Sequence, residues 1–385
     1  MIERFALIGR IEEGLRRYPV TALQGPRQCG KTTLARELAR RRSGTFFDLE
    51  NPRDLARLEN PQRVLEPLRG LVVLDEIQRK PDLLPFLRVL ADEKPLKRRF
   101  LVLGSSSPSL MKHSSETLAG RIHFVEMSGF SLNEVPATRQ NRLWIRGGFP
   151  KSFLAKTERD SLMWREDFIQ TFLERDLPQL GVRVPSLQMR RFWTMVAHYH
   201  GQTWNASEIS ASLGVSHVTG GHYLDLLSGA FVLRQLFPWY VNIGKRLVKA
   251  PKVYVRDSGL LHALLGLSDQ KSVESHPKRG ASWEGFALEN LIRWAGEKDV
   301  YFWGTHAGAE LDALLLRNGK KWGFEFKCSD APTATKSMRS SMTDLNLERL
   351  WVVTPGASRY CLDDKMECVP LSDVEELVKR HKLHR

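Results

Sequence analysis

Gly25-Pro26-Arg27-Gln28-Cys29-Gly30-Lys31-Thr32 spaces its glycines, lysine and hydroxyl as G-x-x-x-x-G-K-[ST], between an apolar run and a helical pattern. Glycines at those places let backbone N–H groups curl around phosphates, and the helix start adds a partial positive charge. Lys31 would reach the β- and γ-phosphates of ATP, the Thr32 hydroxyl would ligate Mg²⁺, and Thr33 would complete the phosphate-lining set. A second stretch, Leu71-Val72-Val73-Leu74-Asp75-Glu76, ends an apolar strand in two acids. Asp75 would hold the Mg²⁺ through water, and Glu76 would orient and deprotonate an attacking water, which favours hydrolysis over nucleotide storage.

A third set lies near the C-terminus, in Glu310–Lys327. Asn318-Gly319 between two alternating runs predicts a two-residue type I′ hairpin. Arg317 then faces Lys320, Asp312 faces Glu325 and Glu310 faces Lys327, all in one register. Two facing carboxylates with Cβ atoms about 5 Å apart repel unless a cation lies between them. A divalent metal held by Asp312 and Glu325 resolves that repulsion, with Lys327 beside it to position water or stabilise charge at phosphorus. An ordinary charged hairpin with a Glu310–Lys327 pair is the simpler alternative.

These residues need rigid elements to present them. Strands are predicted at Val20–Gln24, Thr45–Leu49, Leu71–Leu74, Phe100–Leu103 and Ile122–Val125, with helices over Thr32–Arg42 and Leu83–Asp92 between them: a parallel α/β sheet. Five segments follow: a core over 1–132, a helical lid or connector over 133–180, a basic segment over 181–256, a Gly/Ser/Lys-rich linker over 257–280, and a C-terminal α/β domain over 281–385. Trp144, Phe149, Phe153, Trp164, Phe168 and Phe172 are available to pack the lid. In the basic segment, Asn205 caps one short helix and Ser216 caps a second after the Gly214 turn. Two strands, Val232–Leu236 and Lys252–Val255, follow.

The motifs of the first 132 residues resemble those of AAA+ ATPases. The similarity is closest to a prokaryotic family in which such a core precedes a C-terminal domain of unsettled function. It rests on GPRQCGKT, the LDEIQ run at Leu74–Gln78, LVLGSSS at Leu101–Ser107 and LAGR at Leu118–Arg121. It implies a polar γ-phosphate sensor at Ser105, with Ser106 a near competitor. It also implies an arginine finger at Arg121 acting on a neighbouring subunit, and therefore a homo-oligomer. The segment from 205 resembles a helix-turn-helix with a wing. Asp312…Glu325-Phe326-Lys327 behind a helix carboxylate resembles the PD-(D/E)xK nuclease fold, and Glu289 matches that helix position better than Glu284.

The chain carries 385 residues and a formal net charge of +14. Half of that excess falls in 181–256, where Arg183, Arg190, Arg191, Arg234, Lys245, Arg246, Lys249, Lys252 and Arg256 face only Glu208 and Asp225. Clustered cations point to nucleic acid, DNA first, held by backbone contacts. The second helix, with Gly220 and Gly221 and no Arg, Asn or Gln, is poorly equipped to read base edges. Packing or oligomerisation is the competing role for this segment. Four cysteines without a C-x-x-C pair argue against a disulfide or zinc framework and favour a reducing cytoplasm. No apolar run is long enough for a membrane span. Together these point to a Mg²⁺-dependent ATPase coupled to DNA binding or processing. The alternative is an ATP-switched binding or signalling module whose nuclease-like domain does not cut.

Overall fold

VTALQ at Val20–Gln24 is buried along its whole length, and GLVVLD and RRFLVLG are buried at nearly every position. Unbroken apolar runs suit strands covered on both faces. They pair as strands in a computed structural model that describes residues 2–104, 118–179, 184–239 and 250–384. The chain divides into two units, Met1–Gly129 with Leu227–Val232, and Phe130–Leu226 with Leu233–Arg385.

In the first unit the elements run α1 (Phe5–Arg17), β1 (Val20–Gln24), α2 (Lys31–Arg41), β2 (Thr45–Asp48), α3 (Pro52–Arg57), α4 (Pro61–Leu65), β3 (Gly70–Asp75), α5 (Leu83–Ala91), β4 (Arg98–Gly104) and β5 (Ile122–Glu126). All the predicted strands are present within one or two residues. They form one parallel sheet in the order β2-β3-β4-β1-β5. Val20, Phe47, Leu74, Leu87 and Phe100 belong to its core. Because every strand is parallel, Gln24, Asp75 and Gly104 end their strands at the same edge of the sheet. That edge carries the candidate nucleotide site.

The second unit begins with α6 (Gln140–Arg146) and α7 (Glu158–Thr171), the latter capped by Thr157. Phe149, Phe168 and Phe172 stack in series toward Trp193 on α8 (Ser186–His198), so the aromatics expected to pack this region do so. Strand β6 (Gln202–Thr203), helices α9 (Ala206–Leu213) and α10 (His217–Gly229), and strands β7 (Leu233–Leu236) and β8 (Lys252–Val255) follow. The three strands pair antiparallel in the order β6-β8-β7. Asn205 and Ser216 accept from the backbone N–H groups of Glu208 and Thr219, the two caps the sequence predicts. Gly220 has a packing role: a Cβ there would lie 2.1 Å from Ser210 Oγ, so glycine lets α10 approach α9.

The expected linker over 257–280 is instead folded. Asp257 caps α11 (Ser258–Leu264), and Asp269 with Ser272 forms a capping box on α12 (Gln270–Ser275). Its apolar residues, including Leu260, Leu261 and Val273, are buried, which a linker's would not be. The C-terminal part then runs α13 (Arg279–Ala295), β9 (Val300–Gly304), β10 (Glu310–Arg317), β11 (Lys320–Phe326), α14 (Lys336–Leu345), β12 (Arg349–Thr354), β13 (Tyr360–Asp363), β14 (Met366–Pro370) and α15 (Val374–Arg380). The six strands form one mixed sheet, β13-β14-β12-β11-β10-β9. Asn318 and Gly319 both take positive φ, 54° and 71°, and Arg317 pairs with Lys320 as the Asn-Gly turn predicts. No helix among the described residues is long and apolar enough to cross a membrane.

Candidate functional site

The loop after β1 closes on itself, with no room for a side chain at Gly25. Gly25 has φ 153°, and a Cβ there would fall 1.8 Å from the Met127 carbonyl oxygen. Gln28 and Gly30 take the left-handed conformation, at φ 60° and 102°. Lys31, almost fully buried, donates from Nζ to the carbonyls of Gly25 (2.9 Å) and Pro26 (2.8 Å). The ammonium is thus held folded back over the loop by acceptors that phosphate oxygens can replace. Cys29 turns its thiol inward to the Met127 carbonyl, so it can offer a phosphate only its backbone N–H. Arg27 lies 3.9 Å from Glu50, and Thr33 is exposed on the first turn of α2.

Asp75 is buried at the end of β3, and the Thr32 hydroxyl bonds to its carboxylate. Burial, reinforced by Glu76 and Asp48 and opposed by that hydrogen bond and by Lys31, pushes the Asp75 carboxyl up to about 6. A hydroxyl bonded to a buried carboxylate, short of positive charge, is a donor set that fits a hard divalent cation. Glu76 adopts a left-handed backbone, φ 54°, unusual outside glycine, and Gln78 donates to its carboxylate. Arg121 immediately precedes β5, its carbonyl accepting from the Val20 N–H, at the opposite end of the sheet from the phosphate loop, and its side chain clasps Asp92 at 2.6 and 2.9 Å. It cannot reach the nucleotide of its own chain. Ser105 and Ser106 lie outside the described residues.

The second cluster centres on the hairpin of β10 and β11. Phe326 N–H donates to Asp312 Oδ2 at 2.9 Å, and Lys327 Nζ lies 2.7 Å from Glu325 and 3.9 Å from Asp312. Burial and Asp312 push the Glu325 carboxyl well up, with Lys327 opposing. Lys252 brings a second ammonium from β8, 3.1 Å from Glu284 and 3.7 Å from Asp312, and pairs with Glu310. Tyr254 donates to the same Glu284 at 2.6 Å, and burial together with Asp312 raises the Glu284 carboxyl to about 7 against the pull of Lys252.

A family described as "AAA domain" matches residues 17–136. Two domains of unknown function, DUF8612 and DUF4143, match residues 137–271 and 279–374. The uncharacterized protein Rv2008c of Mycobacterium tuberculosis is 49% identical over 374 residues, 97% of this chain and 85% of that protein. The uncharacterized protein Mb2031c of Mycobacterium bovis matches to the same extent, 49% over 374 residues. The chain belongs to the family of these mycobacterial proteins. The Walker-type ATPase PABY2304 of Pyrococcus abyssi shares the fold at a TM-score of 0.50 and 15% identity, over 69% of this chain and 96% of that one. Within the family's chain, the first unit is an AAA-type P-loop ATPase.

The structure brings Lys31, Thr32, Asp75 and Glu76 to one sheet edge and brings Asp312, Glu325 and Lys327 together. It does not bring Glu289 to that hairpin. Glu289 lies within hydrogen-bond reach of Arg234 and, at 3.3 Å, of Arg256. Burial alone would raise the Glu289 carboxyl, but the two arginines outweigh it and hold it at about 2. The helix carboxylate nearest Asp312 is Glu284. Five residues on a helix turn about 140°, so Glu284 and Glu289 leave α13 on different sides. Among the described residues no group of three or more His, Cys, Asp or Glu side chains is arranged to hold a metal ion. Hairpin register therefore located the strand residues but not the helix partner. Lys252 and Tyr254 had no signal beyond the alternation of β8.

Of the nine cations in 181–256, Arg234, Lys252 and Arg256 are turned inward onto Glu289, Glu284 and Glu310. Arg190 and Arg191 are exposed, while Arg183, Lys245, Arg246 and Lys249 lie outside the described residues.

Proposed function

We propose that this protein is a Mg²⁺-dependent ATPase whose turnover drives a nucleic-acid-handling C-terminal half. The observation that carries the ATPase part is the Lys31 and Thr32–Asp75 arrangement at the sheet edge. Thr32 and Asp75 would hold Mg²⁺, which when bound neutralises charge on the β- and γ-phosphates. Lys31 exchanges the loop carbonyls for phosphate oxygens, and Glu76 orients the attacking water and takes its proton. Arg121 serves a neighbouring subunit's nucleotide, which makes the working form a homo-oligomer. The test is phosphate release from ATP with Mg²⁺ and with EDTA; equal release in both sinks the reading.

A pH dependence follows from Asp75. Its carboxyl is raised from 3.8 to about 6, so the apo protein is favoured by protonation as pH falls toward 6, while metal–nucleotide binding needs the carboxylate. Affinity for Mg²⁺–ATP should fall about tenfold between pH 7 and pH 5. An Asp75→Asn variant should lose that dependence. Calorimetric titration at the two pH values checks both.

For the nucleic acid, at most six of the nine cations remain to contact phosphates. Six contacts give a loss in DNA affinity of about 10³-fold between 50 and 200 mM salt, whereas nine would give nearer 10⁵. Fluorescence anisotropy with a duplex measures the slope, and salt-independent binding removes the electrostatic account. The α13-β9-β10-β11-α14-β12 order and the Asp312, Glu325 and Lys327 cluster support a nuclease-like ancestry for the C-terminal sheet. Lys252 among its carboxylates favours the second reading, an ATP-switched binding module that does not cut in this state.

A further inference from the structure

Strand β8 carries a lysine into the carboxylates of another part of the fold. The Lys252 side chain is 3% exposed, and its Nζ contacts Glu284 Oε1 at 3.1 Å, Asp312 Oδ1 at 3.7 Å, and Glu310. Lys327 approaches from the other end, 3.9 Å from Asp312 Oδ2 and 2.7 Å from Glu325 Oε2. Both oxygens of Asp312 therefore face an ammonium, and Oδ2 also accepts the Phe326 N–H. A divalent ion needs its carboxylate oxygens at roughly 2.0–2.6 Å. It cannot share Glu284 and Asp312 with an ammonium already between them, because two cations about 3 Å apart repel strongly in a buried site. The arrangement does not fit a bound metal as it stands.

The carboxylates belong to α13 and the β10–β11 hairpin, but the cation comes from the strand that follows the helix-turn-helix segment. We propose that Lys252 is a built-in counter-ion that keeps divalent metal out of the Glu284–Asp312–Glu325 cluster, so that the site is closed while β8 is seated. Whatever withdraws β8 opens it. The lysine thereby links the middle segment to the chemistry available in the C-terminal sheet. What a metal would do there rests on the nuclease-like reading; the exclusion of metal does not, and neither depends on ATP hydrolysis.

The test is Mn²⁺ titration of the nucleotide-free full chain, followed by the electron paramagnetic resonance of free Mn²⁺. Wild type and Asp312→Asn should titrate alike. Lys252→Met should gain a site at least tenfold tighter than any in wild type, lost again in Lys252→Met with Asp312→Asn. A wild-type site that disappears in Asp312→Asn overturns the proposal, as does a folded Lys252→Met protein that gains none. Should Lys252→Met fail to fold, the comparison of wild type with Asp312→Asn decides alone. Metal uptake by Lys252→Met without any cutting of DNA would end the nuclease-like reading and leave the lysine gate standing.

Discussion

Glu76→Gln is expected to slow ATP turnover by about 10²–10⁴-fold, the range for loss of a positioned general base, while ATP binding stays within a fewfold of wild type. The separation of the two effects follows from geometry. Asp75 and Thr32 are bonded to each other at the foot of the phosphate loop, whereas Glu76 follows the strand on a left-handed residue. Its carboxylate is bonded by Gln78 rather than by Thr32. A glutamine of equal size keeps the shape but cannot take a proton from water. Lys31→Ala is the contrasting variant: under the proposed function its ammonium leaves the loop carbonyls for the phosphates themselves, so binding and turnover should fall together. Steady-state phosphate release and equilibrium binding of a fluorescent ATP analogue distinguish the two patterns. Unchanged turnover in both variants would remove the catalytic assignment.

The second large effect is on stability. Arg234→Ala is expected to destabilise the second unit by about 3–5 kcal/mol, the cost of breaking a buried ion pair from one side. Both side chains are only 4% exposed, so removing the arginine strands the Glu289 carboxylate with the more distant Arg256. Replacing both partners, Arg234→Met with Glu289→Leu, should recover part of the loss, because the buried carboxylate goes with its arginine, although Arg256 then gives up its 3.3 Å contact. Urea unfolding followed by tryptophan fluorescence measures both. The pH profile carries a further signature. Glu289 is held at about 2, below the usual 4.5, so its contribution is fully present above 4.5 and lost as pH falls from there toward 2. Arg234→Ala should lose much of that acid-dependent component. If Arg234 instead served nucleic-acid binding at the surface, its removal would weaken DNA affinity and leave the urea midpoint unchanged.

What local pattern specifies was legible from the residues. The apolar runs of the first unit form strands because only burial on both faces accommodates them, and parallel pairing then carries Lys31, Asp75 and Glu76 to a common edge. Asn318-Gly319 sets the β10–β11 register because its two positive φ values suit few other residues, and that register brings Asp312 and Glu325 together. Asn205 and Ser216 cap their helices through bonds reaching three residues along the chain. Each of these is decided within a few residues or by one motif and its flanking strand.

Tertiary structure alone decided which charges meet. Arg234, Lys252 and Arg256 read as part of a basic surface because composition counts charge without direction. They are turned inward because the acids of α13 and β10 lie against the face of β7 and β8 that carries Arg234 and Lys252, with Arg256 just beyond β8. Glu284 rather than Glu289 approaches Asp312 because one helix presents the two carboxylates on different sides. The stretch expected as a linker folds because Leu260, Leu261 and Val273 find a core that no local signal announces. Spacing along the chain therefore located the P-loop, whose residues are contiguous. It left open the C-terminal cluster, whose carboxylates and counter-ions come from elements up to 75 residues apart, from Lys252 to Lys327.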